Sequence, residues 1–271
     1  MISVISVMNN ETIARDFLLR GLSRQNSKFE LLLVDNRAST YKSASQSYNH
    51  TGIKANGDYL MFVHQDVLLL SRNSLREAEE WLSTQSRVGL AGVAGMIKPK
   101  FVNQIEICTR NYLLQKLGKT YLWYRRYGRG NVFHGSERTR ALPWLGRFIS
   151  DIAPVQTVDE LILIVPTSIF ESVKFDESVC DNWHLYGVDF SLTVSEKGYK
   201  VCVLPCSVLH RSTGTITKFF LNNLRKMIKK HKQEKIINTT CGLFPTKEEL
   251  MELFFWAPNS KKISNLIRAL A

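Results

Sequence analysis

His64-Gln65-Asp66 follows the apolar run Tyr59–Val63, so an imidazole and a carboxylate stand together where a buried strand ends. Open α/β sheets bind ligands at the C-terminal ends of their strands. Imidazole with carboxylate suits a divalent cation; a strand-end histidine satisfied by backbone is the plainer reading of His64. Asp35 ends a second apolar run, Glu30–Val34. Its carboxylate can accept an N–H from a ligand or simply form a turn. Asp189 lies near the start of a helical stretch, with Trp183, His184 and Tyr186 crowded before it. A carboxylate there can take a proton as general base, or favour the positive end of the helix dipole. An aromatic ring beside a carboxylate is a sugar-binding pairing, because sugar C–H faces pack on rings; core packing competes for Trp183. Asp159-Glu160 precedes the run Leu161–Val165, either as an acidic pair in a site or as a solvated strand entrance. His210, followed by Arg211-Ser212-Thr213-Gly214, is a loop histidine beside a guanidinium suited to phosphate.

These residues need a scaffold, and hydrophobic periodicity outlines one. Met1–Met8, Glu30–Val34, Tyr59–Val63 and Val88–Ile97 read as buried strands. Between them Ile13, Phe17, Leu18 and Leu22 recur at helical spacing. Ala44, Tyr48, Gly52 and Ala55 form a narrow small-residue face able to lie close to a sheet. Ser74-x-x-Glu77 reads as a capping box for a third helix. Strand–helix–strand repetition predicts parallel strands joined by right-handed crossovers. Residues 98–150 break the pattern and read as an excursion from the sheet, partly helical over 110–117. Regular structure resumes with Leu161–Val165, a helix near 184–197 ended by Gly198, and a strand over Tyr199–Leu204. The tail is predicted to be helical over Ile216–Lys235, after Thr246-x-x-Glu249, and over Ser260–Leu270.

The chain has 271 residues, 44% of them hydrophobic and 22% charged, which excludes a mainly disordered or fibrous class. No apolar run approaches the roughly 18 residues that span a bilayer, and Met1–Met8 lacks a signal-peptide core. A protein made and kept in the cytosol is expected. The five scattered cysteines read as small buried hydrophobes in a reducing compartment. The net charge of +12 is uneven: +1 over 1–97, +9 over 98–150, −5 over 151–215 and +7 over 216–271. Carboxylates thus work among surroundings that attract anions such as phosphates, nucleic acid or an acidic membrane face.

Three groups of residues together resemble the family 2 glycosyltransferases of the GT-A fold. They are Val4-Ile5-Ser6 with Leu33-Val34-Asp35-Asn36-Arg37-Ala38-Ser39, then Ala55-Asn56-Gly57-Asp58 through His64-Gln65-Asp66. The last runs from Phe175-Asp176-Glu177 through Trp183-His184-Leu185-Tyr186-Gly187-Val188-Asp189 to Gly198-Tyr199-Lys200 and His210. The branch has His-Gln-Asp where most members have Asp-x-Asp. The resemblance covers about 1–97 and 155–214 and implies a Rossmann-like α/β domain over 1–215. Its mostly parallel central sheet is flanked by helices, and a basic helical tail follows over 216–271. It implies an inverting transfer of a sugar from a nucleoside-diphosphate donor, a UDP-sugar first, to a glycan, lipid-linked or protein hydroxyl, in cell-surface glycan or glycoconjugate synthesis. Donor contacts fall on Asp35 (nucleobase), His64, Asp66 and Arg211, and a Mn²⁺ or Mg²⁺ ion on Asp66 and His210. Asp189 is the implied base, with Val188 replacing the family's glutamate. Asp159, Glu160, Trp183, His184 and Tyr186 fall on the acceptor side.

Two other classes compete. A nucleotidyltransferase making sugar nucleotides shares the topology, but Met8-Asn9-Asn10-Glu11 lacks the glycine-rich phosphate loop. A nucleic-acid binder would use the basic stretches, yet no recognition motif supports it and it leaves Asp66, Asp189 and His210 unexplained; no nucleic-acid partner is expected. The basic helix at 216–235 either roofs the sheet or meets anionic lipid together with the 98–150 insert, placing the protein peripherally at the inner face of the membrane.

Overall fold

The computed structural model describes residues 1–100, 103–136, 139–211 and 217–252. The chain opens with β1 (Ile2–Met8) and one continuous helix made of α1 (Glu11–Ala14), a π-helical stretch (Arg15–Leu19) and α2 (Arg20–Leu22). The Asn10 side chain caps it by accepting from the Ile13 amide. Next come β2 (Phe29–Asp35), α3 (Ala44–Gly52), β3 (Tyr59–Val63), β4 (Val67–Leu69), α4 (Ser74–Thr84), β5 (Val88–Gly92) and β6 (Ala94–Met96). The basic segment holds α5 (Gln104–Lys116), α6 (Thr120–Tyr127), β7 (Gly128–Ser136) and β8 (Thr139–Pro143). Then follow β9 (Ala153–Pro154), β10 (Thr157–Val158), β11 (Ile162–Pro166), α7 (Thr167–Ser172), α8 (Tyr186–Glu196), β12 (Lys200–Val203) and β13 (Ser207–His210). The described tail contains α9 (Lys218–Lys230), the hairpin β14 (Ile236–Thr239) and β15 (Gly242–Pro245), and α10 (Glu248–Met251).

Seven strands form the central sheet in the order β2-β1-β3-β11-β5-β12-β9. The expected parallel crossovers appear as β1·β2, β1·β3 and β5·β12, but β11 runs antiparallel to both β3 and β5, and β9 antiparallel to β12. The sheet is therefore mixed, with five of its seven strands running one way and β11 and β9 the other. The chain reaches β11 from the second sheet through a short turn, without the crossover helix that a parallel strand requires. Period-two alternation covers both faces. Leu60, Phe62, Leu163 and Val165 join a core with α3, α7, α8 and α9, whereas Met61, Val63, Ile162 and Ile164 join one with Leu18, Leu22, α4 and the second sheet.

That second sheet, β10-β6-β7-β13-β4 with β8 beside β7, departs from two expectations. The single strand read at Val88–Ile97 is two, because the chain crosses between sheets at Val93, with Gly92 and Gly95 to either side. A Cβ would lie 2.8 Å from Val158 Cβ at Gly92 and 2.5 Å from the Thr157 carbonyl oxygen at Gly95. The 98–150 segment is likewise no simple excursion, since β7 pairs with both β6 and β13. Small corrections concern caps. Asn73, not Ser74, precedes α4, and the Ser74 hydroxyl donates to the Ser71 carbonyl. Thr246 donates to the carbonyls of Glu234 and Lys235 instead of capping α10, which begins after Lys247. The predicted helix at 260–270 lies outside the described residues. None of the described helices is long and apolar enough to cross a membrane.

Helix α9 roofs the first core with Phe220, Leu224, Met227 and Ile228. Ionic contacts hold its other side. Lys226 Nζ donates to Asp181 at 2.6 Å, and Lys230 Nζ lies 2.8 Å from Asp189 and 3.0 Å from Asp176. His231, fully buried, bridges Asp189 through Nε2 at 2.9 Å and Glu196 through Nδ1. Burial alone would lower the His231 pKa, but the two carboxylates outweigh it and raise it above its ordinary 6.5. A raised pKa adds stability below the unfolded-state value and loses it as pH climbs through the folded-state value. Urea unfolding should therefore show wild-type stability falling from pH 6 toward pH 8.5 more steeply than in His231→Gln. That variant should lose about 1.5–3 kcal/mol at pH 6, as expected for a hydrogen bond to charged groups. Parallel pH profiles for the two proteins would contradict this bridge.

Candidate functional site

The turn leaving β3 places His64, Gln65 and Asp66 at the sheet's end, and β4 then departs to pair with β13. The His64 amide donates to the Leu161 carbonyl at 3.1 Å, tying the turn to β11. Gln65, which the sequence reading left without a role, clamps the turn to the start of the first helix. Its Oε1 accepts from the Asn9 and Asn10 amides at 3.0 Å each. Antiparallel β4 and β13 set His210 opposite Val67, and the Arg211 amide donates to the Asp66 carbonyl at 3.1 Å. Three chain segments thus converge, and one donor atom from each of His64, Asp66 and His210 lies within 4.8 Å of the others.

The chemistry of this cluster fits a cation. His210 Nε2 stands 3.4 Å from Asp66 Oδ1, yet both His210 ring nitrogens are buried without a hydrogen-bond partner among the described residues. An unpaired buried polar group costs about 1–3 kcal/mol, so such a ring wants a ligand. Burial lowers the His64 pKa, with His210 adding to the effect, and keeps the imidazole neutral with a lone pair to offer. Its Nε2 is 2.8 Å from the Tyr186 hydroxyl. His134, which sequence spacing gave no reason to single out, pairs with His210 in register across β7 and β13, with ring centroids 5.5 Å apart.

A cavity of about 230 Å³ opens over this end of the sheet, lined by His64, Gln65, Asp66, Asn36, Trp183 and Tyr186 among others. Trp183 is 41% exposed, so its ring faces the opening more than the core. Tyr186 is buried, its hydroxyl between His64 and the Glu160 carbonyl. His184 turns toward α9 instead: its Nε2 meets the Thr217 hydroxyl at 3.0 Å and its carbonyl accepts from Asn223. Asp35 is exposed and held by Arg37, with guanidinium contacts of 2.6–3.0 Å that keep its carboxyl at about 2. Its neighbour Asn36, not Asp35, reaches the cavity wall. Arg211 is exposed beyond the end of β13.

The acidic residues divide in an unexpected way. Asp189 is 2% exposed and gives one oxygen to Lys230 and the other to His231, so it anchors α9 and does not face the cavity as a free base. Asp159 accepts from the Thr240 hydroxyl and the Leu161 amide. Glu160 has no ion-pair partner among the described residues and accepts from the Gly187 amide at 3.2 Å at the N-terminus of α8. Two local features make room for it. Leu185 adopts φ 65°, a left-handed conformation that turns the chain into α8. Gly187 has no side chain where a Cβ would come within 2.8 Å of Glu160 Cγ. Burial, with Asp159 adding to it, pushes the Glu160 carboxyl up to about 8.

Comparisons with known proteins agree with this architecture. A mannosyltransferase from Pyrobaculum calidifontis, solved with GDP-Man and Mn²⁺, superposes with a TM-score of 0.53 at 12% identity, covering 99% of this chain and 74% of that one. Residues 1–349 of TarS from S. aureus superpose with a TM-score of 0.49 at 15% identity, covering 84% of this chain. The present chain spans 64% of that TarS fragment's length. A comparison with curated proteins finds no match. The fold is that of the GT-A glycosyltransferases. A sequence model described as the glycosyltransferase-like family matches residues 3–236, a span that takes in the basic segment and α9 as well as the cluster, and the chain belongs to that family.

Proposed function

We propose that this protein transfers a sugar, with inversion, from a nucleoside-diphosphate donor to an acceptor hydroxyl, and that a UDP-sugar is the donor to test first. The observation that carries the reading is His210, an imidazole buried with neither nitrogen hydrogen-bonded among the described residues, beside Asp66 and His64 of the cavity wall. Asp66, His210 and His64 would hold a Mn²⁺ or Mg²⁺ ion, which when bound offsets the negative charge gathering on the leaving diphosphate. The fold neighbour solved with GDP-Man and Mn²⁺ supports the same pairing of donor and cation. Arg211 sits beside the cluster to meet diphosphate oxygens. Asn36, at the end of β2, lies where a nucleobase would enter, with Asp35 available once Arg37 swings away. Trp183 offers a ring face to the sugar or acceptor. Tyr186 fixes the His64 ring through its hydroxyl. The acceptor class, whether glycan, lipid-linked or protein hydroxyl, is open to screening, and we place the reaction on the cytoplasmic side.

The proton of the attacking hydroxyl needs a base, and we assign it to Glu160. Asp189 is engaged by Lys230 and His231, whereas Glu160 has no ion-pair partner among the described residues and is tuned to about 8, near working pH. The amide of Gly187 steadies its ionised form. Asp189 then acts indirectly, by holding α8 against α9. Transfer or slow donor hydrolysis, assayed with UDP- and GDP-sugars in Mn²⁺, should reveal a preferred donor; inertness toward all of them would sink the reading. With that donor, Glu160→Gln should lower kcat by about 10²–10⁴, the usual worth of a general base, and leave KM for the donor little changed. Wild-type kcat should rise with pH through a midpoint near 8 and level off above it, because only the ionised carboxylate can take the proton. Asp189→Asn should chiefly cost stability. A large kcat loss confined to Asp189→Asn would return the base to Asp189.

A further inference from the structure

The described residues carry fourteen large hydrophobic side chains that stay exposed, and eight of them fall in the 98–150 segment. Four gather at one tip. Leu113 and Leu117 lie one turn apart at the end of α5, and Tyr121 and Leu122 occupy the first turn of α6, at 37%, 65%, 46% and 42% exposure. Between them Gly118 takes φ +64° and has open space all round the position of a Cβ, so none of the described residues covers the turn. Apolar side chains clustered on an exposed turn mark an interaction surface more often than chance.

The charges around the tip say what would cover it. Lys116 and Lys119 flank the turn, and Arg110, Arg125 and Arg126 are exposed on the two helices behind it, against a single exposed acid, Glu106. Leucines and a tyrosine at the point with a basic collar behind are the pattern of an interfacial anchor. The apolar groups enter the acyl boundary by about 5–10 Å, and the cations stay level with acidic headgroups. Helix α9 cannot play this part, although its sequence is basic and amphipathic. Its apolar stripe is buried in the core, and Lys226 and Lys230 are engaged by Asp181, Asp176 and Asp189.

We infer that the α5–α6 tip docks on an anionic lipid bilayer and holds the protein there reversibly. The inference is independent of the sugar-transfer reading, since no residue of the tip belongs to the His64–Asp66–His210 cluster. The test is co-sedimentation of the full chain with vesicles of phosphatidylcholine alone or mixed with phosphatidylglycerol. Binding is expected to the mixed vesicles only, and to fall steeply as salt rises. Each basic side chain near such a surface is worth about fivefold in partitioning, so Lys116→Gln, Lys119→Gln and Arg125→Gln together should weaken binding on the order of a hundredfold. Leu117→Ser with Leu122→Ser should weaken it at every salt concentration. Lys229→Gln with Lys232→Gln, on and after α9, should leave it unchanged. Circular dichroism and melting temperature confirm that each variant is folded. Three results would each overturn the inference: no binding to mixed vesicles at low salt, equal binding to neutral ones, or retention of binding by both tip variants. Concentration-dependent dimerisation abolished by the leucine changes would assign the tip to a second copy of the chain instead.

Discussion

Everything at the cavity end of this molecule depends on bringing an imidazole from β13 beside the turn that leaves β3. His64 and Asp66 come as a pair, but His210 is more than a hundred residues away and arrives only because β4 and β13 pair antiparallel. The Arg211 amide on the Asp66 carbonyl locks the two strands at the level of the donor atoms. The second sheet therefore has a purpose beyond covering the first. It carries β13, and with it His210, to the mouth of the central sheet, and β7 on its other side brings His134 within ring distance. Burying both ring nitrogens of His210 without a hydrogen bond among the described residues costs stability, and a structure that accepts that cost has a use for the ring.

A second constraint governs the entry to α8. Helix α8 must stand with its N-terminus toward the cavity, and Asp189 holds it there by pairing with Lys230 and His231 of the following helix. The left-handed Leu185 and the bare Gly187 then let the Glu160 carboxyl lie under the first amides of α8. Burial and the neighbouring Asp159 would be a pure liability for a surface glutamate. Here they move its pKa into the range useful for proton transfer.

Much of this was legible in the sequence, for definable reasons. Continuous apolar runs mark strands, so β1, β3 and the core of β11, buried on both faces, and the half-buried edge strand β2 were found with their ends nearly right. His64 and Asp66 stood out because strand ends are where side chains escape the core, and His210, read as a loop histidine, stood out through the family resemblance; the structure gathers all three. The direction of β11 was not legible, since an apolar run reads the same either way. The split at Val93, with Gly92 and Gly95 to either side, was hidden because a chain passing between two sheets stays buried throughout. The ion pairs of Asp189 were hidden for a related reason. An aspartate near the start of a helix looks the same whether it faces a ligand or a lysine forty residues on, and Lys230 and His231 lay in a tail that carried no motif. Gly187 was the overlooked signal, because a missing side chain declares itself only once the neighbour filling its space is known.

The most direct test of the account is calorimetric titration of UDP into the metal-free protein, with and without Mn²⁺, for wild type and for Asp66→Ala. If the cluster joins cation to diphosphate, Mn²⁺ should tighten UDP binding to the wild type by at least about tenfold, some 1.4 kcal/mol. The Asp66→Ala protein, folded by circular dichroism, should bind UDP with the same weak affinity whether or not Mn²⁺ is present. Metal-independent UDP binding in the wild type, or an undiminished Mn²⁺ effect in the variant, would contradict the central claim.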